Sequence, residues 1–150
     1  MTANEMHIRF NLQPCAEGGE FREIYREKPN GVRPPSGVIY YALMPGEYSE
    51  FHTIDCDEYW LYHTGGTLEI WIIDSDGNIR KELLGMEERA QPCIFIKRGS
   101  IFGARHVRTS SEGTLLSCVT VPQFIYEGCT LFTKEEMLKK YPEVKEFYSE

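Results

Sequence analysis

The segment Thr67–Gly85, TLEIWIIDSDGNIRKELLG, is compatible with few backbone conformations. Leu68, Ile70 and Ile72 alternate with Glu69, Trp71 and Ile73, the two-residue period of a strand whose faces meet different surroundings. Asp76-Gly77 then supplies the positive φ angles of a tight turn, so the segment is read as a β-hairpin. From Gly37 to Val121 the same grammar repeats: short runs rich in Val, Ile, Tyr, Phe and Trp, such as GVIYYALM, CIFIKRG, IFGARHV and TLLSCVTV, punctuated by turn residues. Many short antiparallel strands in a small chain imply an all-β barrel or sandwich.

The rest of the chain reads differently. Thr133 and Glu136 form a capping-box pair, and KEEMLKKY continues as a short C-terminal helix until Pro142 interrupts it. The cluster KPNGVRPPSG (28–37) is a loop, placed by this reading over a barrel mouth. With 150 residues and no linker or repeat, one domain over 1–150 is expected, its barrel core at about 17–128 and its helical tail at about 133–150. A domain of this size buries roughly 70% of its unfolded surface.

Charge narrows the partners. A net charge of −7 repels nucleic-acid phosphates and anionic membrane surfaces, so neither is expected to bind. There is no run of 18 apolar residues, and MTANEMHIRF lacks a signal peptide's basic and apolar regions, so a cytoplasmic protein is expected. Five cysteines, Cys15, Cys56, Cys93, Cys118 and Cys129, form no C-x-x-C pair and read as reduced thiols, mostly small core residues.

The chemistry centres on FHTIDCDEYWLYH (51–63). If strands flank the Asp55–Asp57 turn, His52 and Ile54 share one face and Glu58, Trp60 and Tyr62 share another; a hairpin can bring both faces into the barrel. An imidazole and a carboxylate in an aromatic-lined cavity suit general acid/base work, because burial and an imidazolium neighbour push the acid's pKa in opposite directions. His63 has the wrong parity and is placed nearer the outside or the mouth. Upstream, Glu17-Gly18-Gly19 precedes a strand in which Arg22 and Arg26 can bind an anion bidentately, with Tyr25 beside them. Trp60 and Tyr62 read either as stacking walls for a ligand or as barrel filling.

The spacing G-x5-H-x5-E-x6-G, met by Gly46, His52, Glu58 and Gly65, resembles the first motif of the cupin superfamily, and Gly99 stands where the second motif turns. EGGEFREIYRE (17–27), FHTIDCDEYWLYHTGG (51–66), KRGSIFGA (97–104) and LFTKEEMLKKYP (131–142) are similar in order and spacing to the Cupin_5 (DUF985) family. That resemblance implies a double-stranded β-helix, a jelly-roll-like barrel, commonly a homodimer. It also implies that metal cupins carry histidines where this chain has Ile54 and Phe102. With His52 and Glu58 alone, the set falls short of the three protein ligands of catalytic zinc or the facial triad of iron, and no metal or other cofactor is expected.

The resulting expectation is a small-molecule-binding cupin. It has His52 and Glu58 as catalytic pair and Arg22, Tyr25, Arg26, Trp60, Tyr62 and Phe102 as ligand contacts. Any turnover would be a metal-independent epimerisation or isomerisation of a sugar derivative. The alternatives are a non-enzymatic metabolite sensor and a metal-dependent oxygenase or isomerase.

Overall fold

The computed structural model describes residues 1–149; Glu150, the last residue of the expected tail, lies outside them. Strands β1 (Gln13–Pro14), β2 (Glu20–Tyr25), β3 (Gly37–Leu43), β4 (Tyr48–Ile54), β5 (Asp57–Thr64) and β6 (Leu68–Ile73) are followed by β7 (Ile79–Leu84), β8 (Cys93–Ile96), β9 (Ile101–His106), β10 (Thr114–Val121) and β11 (Cys129–Leu131). They form two antiparallel sheets, ordered β1-β2-β3-β10-β5-β8 and β11-β4-β9-β6-β7. Consecutive strands alternate between the sheets at β3 to β6, so the sheets face each other as a jelly-roll-like double-stranded β-helix.

The predicted hairpin is β6–β7, in register from Leu68↔Leu84 to Ile73↔Ile79, with Gly77 at φ +83° in its turn. Its alternation sorts two cores. Leu68, Ile70 and Ile72 point inward and pack with Tyr41, Trp60, Ile94, Phe102 and Leu116. Trp71 and Ile73 point outward yet are just as buried, because the C-terminal tail covers them with Met137, Val144 and Phe147.

That tail is α2 (Lys134–Lys140), capped by the Thr133 hydroxyl accepting from the Glu136 amide, and a 3-10 segment, Pro142–Tyr148. Each buried apolar side chain of the tail contributes about 2 kcal/mol to its docking. Buried Arg105 on β9 fastens the end: its Nη1 donates to the carbonyls of Glu146, Phe147 and Ser149 at 3.0–3.1 Å, while Nη2 reaches Glu69 at 3.3 Å.

A second helix, absent from the sequence reading, opens the chain. α1 (Ala3–Arg9) begins with a complete Thr2–Glu5 capping box and lays Met6 against Ala42 and Leu115 on the outside of the larger sheet. No helix of the described residues is long and apolar enough to cross a membrane.

The 28–37 loop is tied down by one side chain. Arg33 Nε donates to the Gln123 carbonyl at 2.8 Å, and its two Nη atoms grip Asp55 in the β4–β5 turn at 2.9 and 2.8 Å. Gln123 in turn exchanges hydrogen bonds with the Glu27 backbone. The segments 27–33 and 122–128 are thereby joined at one end of the barrel, where the cavity opens.

Candidate functional site

A cavity of about 580 Å³ lies between the sheets at the end where β2, β4, β10 and β11 converge. Among its lining residues are His52, Glu58, Glu17, Glu23, Tyr25 and Arg26, together with the thiols of Cys15, Cys118 and Cys129. The larger aromatic side chains of the barrel interior fill its other half.

His52 is held by local backbone geometry. The β4–β9 register slips between Ser49 and His52, a bulge that turns the Glu50 peptide toward the barrel end. The Glu50 amide donates to the Glu17 carbonyl at 2.7 Å, and the Glu50 carbonyl lies 2.7 Å from His52 Nδ1. A carbonyl only accepts, so Nδ1 carries a proton, and in its neutral form the ring presents a lone pair at Nε2. Nε2 faces the Glu17 carboxylate at 3.6 Å, and the ring is backed by Phe102, with centroids 4.2 Å apart. His52 is 3% exposed.

Glu17 reaches this position through the β1–β2 hairpin. Gly18 and Gly19 adopt φ of +109° and +72°, and a Cβ on Gly18 would stand 2.0 Å from the Tyr48 carbonyl oxygen. Only glycine lets the hairpin press so closely on β4. The Tyr41 hydroxyl locks it from below by donating to the Gly18 carbonyl at 2.6 Å. Burial holds that phenol well above its usual pKa, so it stays a donor.

Glu58 enters from β5, opposite Thr120 and Ile96 in its sheet. Trp60, two residues along the same face, donates its indole N–H to Glu58 Oε1. Burial raises the Glu58 pKa to about 7; the Trp60 hydrogen bond and, when that ring is protonated, the charge of His52 pull it down, and Glu17 pushes it up. The group therefore exchanges its proton near neutrality, as an acid/base catalyst must. Burial likewise lifts Cys15 to about 12 and Cys129 to about 11, with Glu17 adding to both, and Cys118 rises too. The three thiols are protonated at neutral pH and present soft, weakly polar walls.

The structure brings His52, Glu58, Tyr25 and Arg26 to one cavity and leaves four other expected contacts away from it. Arg22 points to the outer face of β2, where its Nη1 lies 3.5 Å from the Phe10 carbonyl. Trp60 is 1% exposed and packs beneath Glu58 against Tyr41 and Phe102. Phe102 sits behind His52, and the Tyr62 hydroxyl donates to the Gly65 carbonyl at 2.5 Å toward the other barrel end. Strand alternation placed these aromatic residues inside; it did not say which half of the interior they fill.

His63 lies outside the cavity, its Nε2 2.5 Å from Ser117 Oγ. His106 is buried away from the cavity beside Thr114 Oγ1 at 2.9 Å, its pKa lowered by burial to about 4. Sequence reasoning passed over Glu17, Glu23 and the three thiols. The paired glycines after Glu17 were a signal of close approach, and Cys118 shares the inward parity of Leu116. Nothing in the sequence pointed to Cys129.

At the two positions where metal cupins carry further histidines stand Ile54 and Phe102, the latter tilted against the His52 ring. Among the described residues no group of three or more His, Cys, Asp or Glu side chains is arranged to hold an ion.

Comparison with known proteins agrees with this architecture. Protein SO0799 from Shewanella oneidensis is 29% identical, with a TM-score of 0.89 over 97% of this chain and 94% of its own. A hypothetical protein from Leishmania major is 27% identical, with a TM-score of 0.83 over 95% of this chain and 94% of its own. Oxalate decarboxylase from Bacillus subtilis shares the fold at 18% identity and a TM-score of 0.63, over 87% of this chain and 35% of the enzyme. No curated protein matches the sequence. Residues 5–132 match Cupin_5, the cupin superfamily group DUF985, and the chain is a member of that family.

Proposed function

We propose that the cavity binds a small polar metabolite and that His52 and Glu58 act on it as a metal-independent acid/base pair. The observation that carries this reading is that His52, its Nδ1 committed to the Glu50 carbonyl, and Glu58, its pKa raised by burial to about 7, are both buried on the wall of one cavity of about 580 Å³. Such equipment fits removal and return of a proton next to a carbonyl, as in epimerisation or isomerisation of a sugar derivative. His52 takes the proton through Nε2, with the ring oriented by the Glu50 carbonyl; protonated Glu58 donates to the carbonyl oxygen. Glu17 faces the imidazolium as it forms. Trp60 is a positioning residue, because it reaches the ligand only through Glu58.

The test is deuterium wash-in. Sugar derivatives bearing a carbonyl are incubated with the protein in deuterium oxide, and exchange at the adjacent carbon is followed by proton NMR. Exchange with the wild type, lost in His52→Ala and reduced in Glu58→Gln, is the expected result. Retention of exchange in both variants would remove the assignment, and binding without exchange in any protein would favour the sensor reading. Metal analysis of protein purified without an affinity tag checks the remaining alternative: a stoichiometric transition metal lost in His52→Ala would replace this mechanism.

A homodimer belongs to the same reading. Tyr59 and Phe95, tilted against each other with ring centroids 5.1 Å apart, are 40% and 43% exposed on the outer face of β5 and the edge strand β8. Exposed aromatic side chains at an unpaired edge invite association. A monomeric mass by light scattering at assay concentration would contradict it.

A further inference from the structure

The charges around the cavity are unevenly placed. Arg26 is the one Lys or Arg among the described lining residues, and it is engaged at the rim. Its Nη1 donates to the Phe124 carbonyl at 2.9 Å, and its Nε stands 3.7 Å from Glu23. Farther in are the carboxyls of Glu17 and Glu58. The one inner group able to become cationic is His52, which already faces Glu17 at 3.6 Å and has Nδ1 committed to a carbonyl. The remaining wall combines hydrocarbon and thiol, including Phe21, Ile39 and Leu131, with uncharged polar side chains such as Gln13, Thr120 and Gln123. A carboxylate or phosphate entering here passes Glu23 and Arg26 at the rim and then meets Glu17 and Glu58 with no Lys or Arg beside them. An ammonium group meets acceptors on both sides, and its apolar body meets apolar walls.

We infer that the cavity selects a small organic cation, an alkylammonium with an apolar body, whose N–H groups donate to Glu17 and Glu58, and that it rejects carboxylates and phosphates of similar shape. The inference rests on the reading of this cavity as the ligand site and names its ligand class, an amine in place of the neutral sugar derivative; it does not depend on proton transfer.

Phenethylamine, phenethyl alcohol and hydrocinnamate share one apolar body and differ in charge. Their binding is followed by chemical-shift perturbation of the cavity residues at low salt and about pH 8, above the Glu58 transition. The amine is expected to bind at least about tenfold more tightly than the alcohol, with hydrocinnamate weakest. Glu17→Gln is expected to abolish most of the amine's advantage while leaving the alcohol's affinity in place. The wild-type ranking stands as a test even if that variant fails to fold.

Hydrocinnamate binding as tightly as the amine overturns the inference, and so does the absence of cavity shifts with all three probes. If hydrocinnamate wins and His52→Ala removes its binding, the charge selection fails while the acid/base site survives. If the amine wins and deuterium wash-in is unaffected by His52→Ala, the acid/base reading fails and the charge selection stands.

Discussion

Replacing Glu58 with Gln provides a test of the site that needs no ligand. Glu58 has a pKa of about 7 in the folded protein against 4.5 in an unperturbed chain, chiefly because burial disfavours the carboxylate. The folded state therefore holds this proton more tightly than the unfolded state does. Stability from Glu58 is fully present below 4.5 and is lost as pH rises through about 7. At 1.36 kcal/mol per pKa unit, the loss amounts to about 3 kcal/mol by pH 8. Gln cannot ionise, and its carbonyl oxygen can still accept from the Trp60 indole. Urea denaturation of both proteins from about pH 4.5 to 8 should give curves that separate with pH, the variant ending about 2–3 kcal/mol more stable. His106 contributes an opposite slope, since its lowered pKa makes stability fall as pH drops from 6.5 through about 4. Both proteins carry His106, so the difference curve isolates Glu58. A difference independent of pH, or a variant weaker at pH 8 than the wild type, would refute the claim that Glu58 is held in a desolvated wall.

Arg105→Ala should destabilise the protein by about 2–4 kcal/mol in urea, because it strips three tail carbonyls of one buried donor, and it should expose the tail to limited proteolysis. Arg33→Ala should change global stability by less than about 1 kcal/mol, since its partner Asp55 is 48% exposed, while accelerating amide exchange across 28–36. Tyr41→Phe removes the 2.6 Å hydrogen bond to the Gly18 carbonyl; a loss of about 1–2 kcal/mol is expected in urea, together with weaker amine binding because the same hairpin carries Glu17.

The β framework was legible because side-chain parity is local information. Alternation in β6, the Asp76-Gly77 turn and the inward parity of His52 and Glu58 each depend on neighbours a few residues away. α1 was not legible for the complementary reason: it buries only Met6, so it shows no apolar stripe, and its Thr2–Glu5 box stands without a periodic run behind it. The outward burial of Trp71 and Ile73 depends on a tail that docks from the far end of the chain. Their place in the strand specified the face, and the tail decided that the face would be dry.

The cavity follows a different rule from the aromatic motif that drew attention to it. Protein interiors are close-packed, so a void persists only where side chains are too small to fill the space between sheets. Trp60, Phe102 and Tyr41 are among the largest fully buried side chains of the molecule, and they fill. Space opens where Cys15, Ala16, Gly37, Cys118, Thr120 and Cys129 line the wall. The conspicuous aromatic residues Trp60 and Phe102 thus mark the packed half, and the cavity lies where residue volume drops. The polar groups of that half come from separate places in the chain, with Glu17 from the β1–β2 hairpin, His52 from a bulge in β4 and Glu58 from β5. The meeting of Glu17 and His52 is fixed by the Glu50 peptide, which binds the Glu17 carbonyl on one side and the His52 ring on the other. Backbone groups carry no sequence signature: the glycines after Glu17 signalled a close approach, and only three dimensions showed that it was made to the strand carrying His52.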